Sequence, residues 1–386
     1  TMPVPSLPLM LFRTLKPKLP QMIVILKEFT LAESPSLDKS AADTCCELIA
    51  TAWRKRGLQV DRIAQTHRGD HLRISTPLVK SNPSEQLLVL GHYDTVYATG
   101  TLQKMPFRVS GRKVYGPGTF DMKGGIVQAL FAYDALLEVN APLNKRIVFL
   151  WTSDEEIGSD SSRKLIETEA RRSEAVFVLE PAFGSRGLLK TQRKGVGEAE
   201  ITVHGRASHA GLAPEKGINA IHELCYQIER IKKMNDPRRG ITVNAGTIEG
   251  GTRTNVIPER ASAVLDLRAL RVADMRRVER QLHALRPRHP QARLEVRGGF
   301  SRSPLERKIS SALFAKAKSI AAEMNLLLGE CIAGGGSDGN LTAALGVPTL
   351  DGLGAVGDGA HSTNEHIFAT AMPSRAALLA ALLATV

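Results

Sequence analysis

Gln86-Leu-Leu-Val-Leu-Gly-His92-Tyr-Asp94 is an apolar run of strand length that ends on an imidazole and a carboxylate. Two further runs share this form. Arg146-Ile-Val-Phe-Leu-Trp-Thr152 leads into Ser153-Asp154-Glu155-Glu156, and Ala175-Val-Phe-Val-Leu179 leads into Glu180-Pro181. Helix-like segments separate the runs, so this part of the chain reads as α/β, a mixed sheet with helices on both faces. In open α/β sheets ligands bind outside the carboxyl ends of strands, so three acidic or histidine clusters at three such ends can converge on one site.

Outward from these strands, the pattern changes between about Gly197 and Phe300. A strand at Ala199–His204 precedes a helix whose apolar residues Ile218, Ile221, Leu224, Cys225, Ile228 and Ile231 recur at three- and four-residue steps. Strands at Ile241–Ile248 and Ala261–Leu270, a helix from Val272 to about Leu285 and a strand at Ala292–Arg297 follow. The order β-α-β-β-α-β is that of a ferredoxin-like unit. It reads as a second domain, 196–302, inserted into a discontinuous catalytic domain, 1–195 and 303–386. After Pro304 come a helix through Met324, the loop Gly334-Gly-Gly-Ser-Asp-Gly339, a strand near Val347–Leu350 and a final Ala/Leu helix. No Lys-Ser/Thr follows the glycines, so they read as a backbone loop lining a pocket and not as a phosphate cradle.

At 386 residues the chain has room for two domains and a sizeable core. Its longest apolar stretches are far too short to cross a bilayer. The N-terminus carries Pro3, Pro5, Pro8, Pro17 and Pro20 and lacks the basic start, uninterrupted apolar core and cleavage site of a signal peptide. Cys45, Cys46, Cys225 and Cys331 show no disulfide or zinc-knuckle spacing, and Cys45 and Cys46 sit in a helical context as core or boundary residues. A cytoplasmic, reducing setting fits, or a periplasmic or secreted one if a leader has been trimmed. The net charge of +12 invites a nucleic-acid reading, but the excess sits in helical stretches such as Arg271–Arg288 without interleaved aromatics. Solvated helix faces account for it, with neither nucleic acid nor membrane as partner.

Five segments carry the chemistry: Gly91-His-Tyr-Asp-Thr-Val, Gly116-Pro-Gly-Thr-Phe-Asp-Met-Lys-Gly-Gly, Thr152-Ser-Asp-Glu-Glu-Ile-Gly-Ser, Leu179-Glu-Pro and Gly359-Ala-His-Ser-Thr-Asn-Glu. Together, and in this order, they resemble the dinuclear-zinc aminoacylase and carboxypeptidase family known as M20. Glu180-Pro181 and Lys190-Thr-Gln-Arg-Lys-Gly look most like its glutamate carboxypeptidase (carboxypeptidase G2-like) branch. The resemblance runs from about Ser34 to the C-terminus. It implies that His92 and Glu180 bind one zinc, Glu156 and His361 the other, and that Asp121 bridges both.

Ligand chemistry agrees with that assignment. Imidazole and carboxylate suit zinc, and a paired site needs a shared carboxylate to hold two cations roughly 3.5–4 Å apart. Two Zn²⁺ are balanced by three carboxylates and a hydroxide; Co²⁺ or Mn²⁺ also suit such donors. In the family Glu155 is the general base, and adjacent carboxylates at a strand end point different ways, so one can face metal while the other faces substrate. Asp94, two residues beyond His92, would accept the other imidazole N–H and fix the ring. The resemblance also implies that His209 helps bind the oxyanion, often from a partner subunit, and hence a homodimer with the insertion as dimerisation domain. Asn255 and Arg268 are substrate residues, the Arg fork matching a free carboxylate bidentately.

A lone histidine is more often structural than a ligand, and His67, His71, His204, His222, His283, His289 and His366 are read that way. Asp154 reads as a strand-end cap. Arg268 has a competing reading as an ion pair with Asp266 or Glu259. The expected function is hydrolysis of an amide bond, releasing a C-terminal amino acid such as glutamate from a peptide, folate-like or N-acyl conjugate. The alternatives are an N-acyl amino acid deacylase of the acetylornithine or aminoacylase kind and a non-catalytic binding protein of the same fold.

Overall fold

The computed structural model describes residues 5–79 and 85–386. Thr1 and Pro3, part of the N-terminal reading, lie outside the described residues. The chain forms two compact units. One takes the chain up to Thr191 together with Arg307–Ile332 and Ser337–Val386, and the other comprises Gln192–Glu306 and Ala333–Gly336.

The first unit is built on a six-stranded sheet in the order Gln59–Ile63, His71–Ser75, Arg146–Thr152, Gln86–His92, Ala175–Val178, Thr349–Leu350. The first three strands pair antiparallel and the rest parallel, so the sheet is mixed. The apolar runs are explained by burial on both faces, since successive side chains of a strand point opposite ways. Leu87, Val89, Ile147 and Phe149 enter one core, while Leu88, Leu90, Val148 and Leu150 enter another with Ile166, Ala170 and Leu341. Helices Gly124–Glu138 and Met372–Thr385 contribute to the larger core and helices Arg163–Arg171 and Gly339–Ala344 to the smaller.

From Leu7 onward the proline-rich segment is helical. Pro8, Pro17 and Pro20 stand in the first turns of three consecutive helical segments, Leu7–Leu15, Lys16–Lys18 and Leu19–Leu31. There the missing N–H is no loss and the fixed φ starts the helix. Leu11, Leu15, Met22, Leu26 and Phe29 are buried in the larger core.

The second unit is a four-stranded antiparallel sheet in the order Thr242–Gly250, Arg260–Ala269, Gly195–His204, Arg293–Arg302. Along the chain its main elements run strand, helix, strand, strand, helix, strand, the helices being Ala220–Lys232 and Val272–His283. Leu224, Ile231, Val278 and Leu282 pack against Ile201, Val203, Leu265 and Leu267 to form its core. The last strand runs past the expected stop at Arg297, through Gly298 and Gly299. Gly298 adopts φ +83, and a Cβ there would lie 2.4 Å from the carbonyl oxygen of Glu198. The glycine lets the strand continue in close pairing instead of ending it.

Among the described residues no helix is long and apolar enough to cross a membrane.

Candidate metal centre

Three of the five candidate ligands sit where a strand of the first unit ends. His92 is the last residue of its strand, Glu156 lies in the single turn Glu155–Ile157 after Thr152, and Glu180 follows two residues after Val178. The backbone at Glu180 is fixed from two sides. Leu179 N–H donates to Leu90 O at 2.9 Å and Gly354 N–H donates to Glu180 O at 2.9 Å. A Cβ at residue 354 would lie 2.1 Å from Leu179 O, so only glycine fits this approach.

Asp121 lies in the turn Thr119–Lys123 that precedes the helix Gly124–Glu138. Gly118 enters the turn in the left-handed region, at φ +71. Lys123, buried beyond it, donates its ammonium to Phe29 O at 2.9 Å and Ala32 O at 2.8 Å. His361 comes from the loop joining the short antiparallel strands Gly357–Asp358 and His366–Phe368. Its φ of +61 is rare for a residue with a side chain and holds the ring where the loop alone would not favour it.

These segments bring five side chains together. His92 Nε2 lies 3.4 Å from Asp121 Oδ1 and 3.4 Å from Glu180 Oε1. His361 Nε2 lies 3.0 Å from Glu156 Oε2 and 3.4 Å from Asp121 Oδ2. The result is two ligand groups, His92–Asp121–Glu180 and Asp121–Glu156–His361, each with its donor atoms within 4.8 Å of one another and with Asp121 in both. One group is nearly sealed, His92 being 1% exposed, whereas the His361 side chain is 51% exposed.

The electrostatics follow from this crowding. Burial alone would lower the His92 pKa, but the carboxylates of Asp121, Asp94 and Glu180 outweigh it and hold the imidazole well above its usual value. Asp121 and then Glu156 push His361 up to about 10. Burial tends to raise Asp121, yet His361 and His92 leave it well below the carboxylate range. Glu156 is raised, chiefly by burial.

Two atoms at the centre of the cluster have no hydrogen-bond partner. His92 Nε2 and Asp121 Oδ1 are buried, and their 3.4 Å approach lacks hydrogen-bond alignment. Leaving such groups unmatched inside a protein is costly, and a cation between them removes the mismatch. The donors, two imidazoles and three carboxylates with one carboxylate common to both groups, suit a pair of first-row divalent ions. The residues therefore fit a dinuclear metal centre.

Asp94 is fully buried against this cluster. Its Oδ1 lies 3.3 Å from His92 Nδ1, and its two oxygens accept the backbone N–H groups of Glu155 at 3.3 Å and Glu156 at 3.2 Å. Ser36, which sequence reasoning missed, donates to Asp94 Oδ2 at 2.7 Å. Asp154 bonds within the segment that follows its strand. Its Oδ2 accepts from Ser161 N–H and Oγ, both at 2.7 Å, and closes the turn that carries Glu155 and Glu156. Lys123 and Glu365 were also missed as site residues, although both lie inside the quoted segments. Buried charges that serve backbone groups leave no spacing signal.

The remaining candidates belong to the second unit. Ser208–His209 pairs with Val256–Ile257, and Ala210 N–H donates to Asn255 O at 3.0 Å, so His209 and Asn255 are neighbours. The exposed His209 ring accepts from Gly211 and Leu212 N–H at 3.1 Å. Arg268 is not beside them. It lies eight steps along its strand from Arg260, about 26 Å at the usual rise, with His209 beyond the Arg260 end. Its Nε donates to both Asp266 oxygens at 3.0 Å and its Nη2 to Oδ1 at 2.9 Å, the pairing weighed as the alternative reading.

Comparison with known proteins bears on the whole chain. The model of peptidase family M20/M25/M40 matches residues 88–385. Carboxypeptidase G2 of Pseudomonas sp. (strain RS-16) is 32% identical over 313 residues, covering 79% of this chain and 75% of that protein. Acetylornithine deacetylase of Klebsiella pneumoniae (strain 342) is 29% identical over 277 residues, 66% of this chain and 70% of that protein. The crystal structure of aminopeptidase PepT from Bacillus cereus superposes with a TM-score of 0.77 at 22% identity, covering 95% of this chain and 98% of that one. It shares the fold of a central mixed sheet with a separate antiparallel sheet. With its family model matched across both units, the chain belongs to peptidase family M20/M25/M40, metallopeptidases and amidohydrolases that hydrolyse C–N bonds.

Proposed function

We propose that the protein is a zinc-dependent carboxypeptidase that cleaves an amide bond and releases a C-terminal amino acid, glutamate first among candidates, from a peptide, folate-like or N-acyl conjugate. One observation carries the proposal: two ligand groups share Asp121 around the unpartnered His92 Nε2. His92 and Glu180 would hold one cation and Glu156 and His361 the other, with Asp121 offering an oxygen to each. Bound there, the pair supplies positive charge that polarises a carbonyl and acidifies water.

The rest of the chemistry falls to the chain. Asp94 orients the His92 ring through Nδ1 and fixes the backbone of the turn from which Glu155 projects. Glu155, as general base, takes a proton from the attacking water and delivers it to the departing amine. His209 stabilises the oxyanion, Asn255 orients the substrate, and Arg268 takes its free carboxylate once Asp266 yields the fork. A small substrate does not span the distance between Arg268 and the Asn255 turn. That supports a homodimer in which His209 and Asn255 come from one subunit and Arg268 from the other.

The identity with carboxypeptidase G2 favours the carboxypeptidase reading. The similarity to acetylornithine deacetylase favours a second, N-acyl amino acid deacylation, which uses the same metal centre on a different acyl group. A panel of α- and γ-glutamyl conjugates, folate-like conjugates and N-acyl amino acids, tested on zinc-reconstituted protein, separates them. Turnover of acetylornithine with none of any glutamyl conjugate would overturn the first.

A further inference from the structure

Glu365 carries no role in the proposed chemistry, yet its carboxylate is completely buried beside the bridging ligand. It is the last residue of the loop that presents His361, and its side chain turns inward to the segment that presents Asp121. Oε2 accepts Gly118 N–H at 3.0 Å, and Oε1 accepts Phe120 N–H at 2.8 Å and Asp121 N–H at 2.9 Å. Three backbone donors of one short turn thus converge on one carboxylate almost 250 residues away in sequence. The contact is reinforced on the backbone, where Gly116 N–H donates to Glu365 O at 3.4 Å. Tyr97 ties the same loop down by donating its hydroxyl to Ser362 O at 2.9 Å.

This arrangement is costly unless it does something. A carboxylate withdrawn from water is stabilised by several N–H donors, and Glu365 takes three of them from a single turn. A carboxyl group offers acceptor positions on both oxygens, and its ionised form does so without an O–H that needs an acceptor of its own. A glutamine would keep one carbonyl oxygen for Phe120 and Asp121 and turn an amide donor toward the Gly118 N–H.

We infer that Glu365 is a positioning residue for the metal centre: by gathering the N–H groups of Gly118, Phe120 and Asp121, it sets the Asp121 carboxylate between the two ligand groups and locks the His361 loop to it. The inference rests on the proposed ligand set. Because Asp121 belongs to both groups, Glu365 acts on both cations equally, although its own loop supplies a ligand to one only.

The test is a zinc titration of metal-free wild type, Glu365→Gln and Glu365→Asp against a chromophoric competing chelator, with thermal melts of the same metal-free samples. In the wild type two zinc ions bind. In Glu365→Gln both binding steps weaken by about 10–100-fold, the usual range for residues that orient metal ligands. Glu365→Asp, which keeps the charge but is one methylene short, falls between the two. If Glu365→Gln does not fold, Glu365→Asp carries the same test, with both steps weakened less. Wild-type affinity at both steps in a variant whose melting temperature has fallen would make Glu365 a purely structural residue and overturn the inference. So would weakening of a single step, which would confine the effect to the His361 loop. Failure of the wild type itself to take up two zinc ions would instead overturn the ligand set.

Discussion

Asp94 stands behind His92: its Oδ1 is 3.3 Å from Nδ1, while Nε2 on the far side of the ring faces Asp121 and Glu180. Nδ1 also lies 3.1 Å from Asp94 O, so the backbone carbonyl and the carboxylate of Asp94 together fix the tautomer that leaves Nε2 free to bind a cation. The same carboxylate receives the N–H groups of Glu155 and Glu156, so it aligns a ligand of each group. Asp94→Asn keeps the size and one acceptor but loses the charge. It is expected to weaken zinc binding by about 10–100-fold. A chelator competition titration measures this, and wild-type affinity in the variant would remove Asp94 from the centre.

Glu155 directly precedes the candidate ligand Glu156 in the chain, so chemistry and metal retention can be told apart by mutation. Glu155→Gln is expected to lower kcat by about 10²–10⁴-fold, the usual worth of a general base, with zinc content unchanged. Metal analysis beside steady-state kinetics gives both numbers. Turnover near wild type in a fully loaded variant would rule out Glu155 as the base.

Metal loading should release protons. In the metal-free protein His361 is raised to about 10, so near pH 7.5 its ring carries a proton that a metal ligand must lose, and His92 is shifted in the same direction. The sign for stability follows from the same shifts. The folded-state pKa exceeds the unfolded one, so protonated rings stabilise the metal-free fold fully below about pH 6.5. That contribution fades as pH rises, for His361 through about 10. Calorimetric zinc titrations in buffers of different ionisation enthalpy count the protons, and identical heats in all buffers would contradict the shifts. Thermal melts of the chelated protein are expected to fall between pH 6.5 and 10.

The convergence of the five candidate ligands was legible because each is a charged or imidazole residue at the end of an apolar strand or inside a dense motif. Strand ends are where such groups converge in this fold. The supporting groups were not. Lys123, Ser36 and Glu365 act on backbone carbonyls and amides or on another side chain, and such contacts carry no periodicity or spacing. In the fold, alternation and helical period placed the sheets, but the N-terminal helices were obscured. Prolines that break a helix interior stand here at helix starts, and a count of Pro3, Pro5, Pro8, Pro17 and Pro20 does not tell the two apart.

That N-terminal packing is itself open to measurement. Leu15 is fully buried in the core shared with the helices Gly124–Glu138 and Met372–Thr385. Leu15→Ala is expected to destabilise the first unit by about 2–5 kcal/mol, the cost of a deleted core leucine. Urea denaturation of the metal-free protein reads it directly. A change under about 0.5 kcal/mol, typical of surface sites, would mean that the segment does not belong to the core in solution.

Arg268 and Asp266 pose the sharpest question about substrate choice, because the guanidinium that would receive a substrate carboxylate already holds one. If Arg268 binds substrate, Asp266 competes with it. Asp266→Asn frees the fork and lowers KM, while Arg268→Ala removes a charge-assisted pair and raises KM by about 10–100-fold, from about 1.5–3 kcal/mol at 1.4 kcal/mol per tenfold. The opposite signs are what matter. A purely structural ion pair on a partly exposed strand is worth about 0–1 kcal/mol, and breaking it from either side lowers stability slightly with KM unmoved. Kinetics on the best substrate of the panel decide the matter. Equal, small effects of the two variants would leave Arg268 as a strand residue and shift the search for the carboxylate's partner to other cations of the chain.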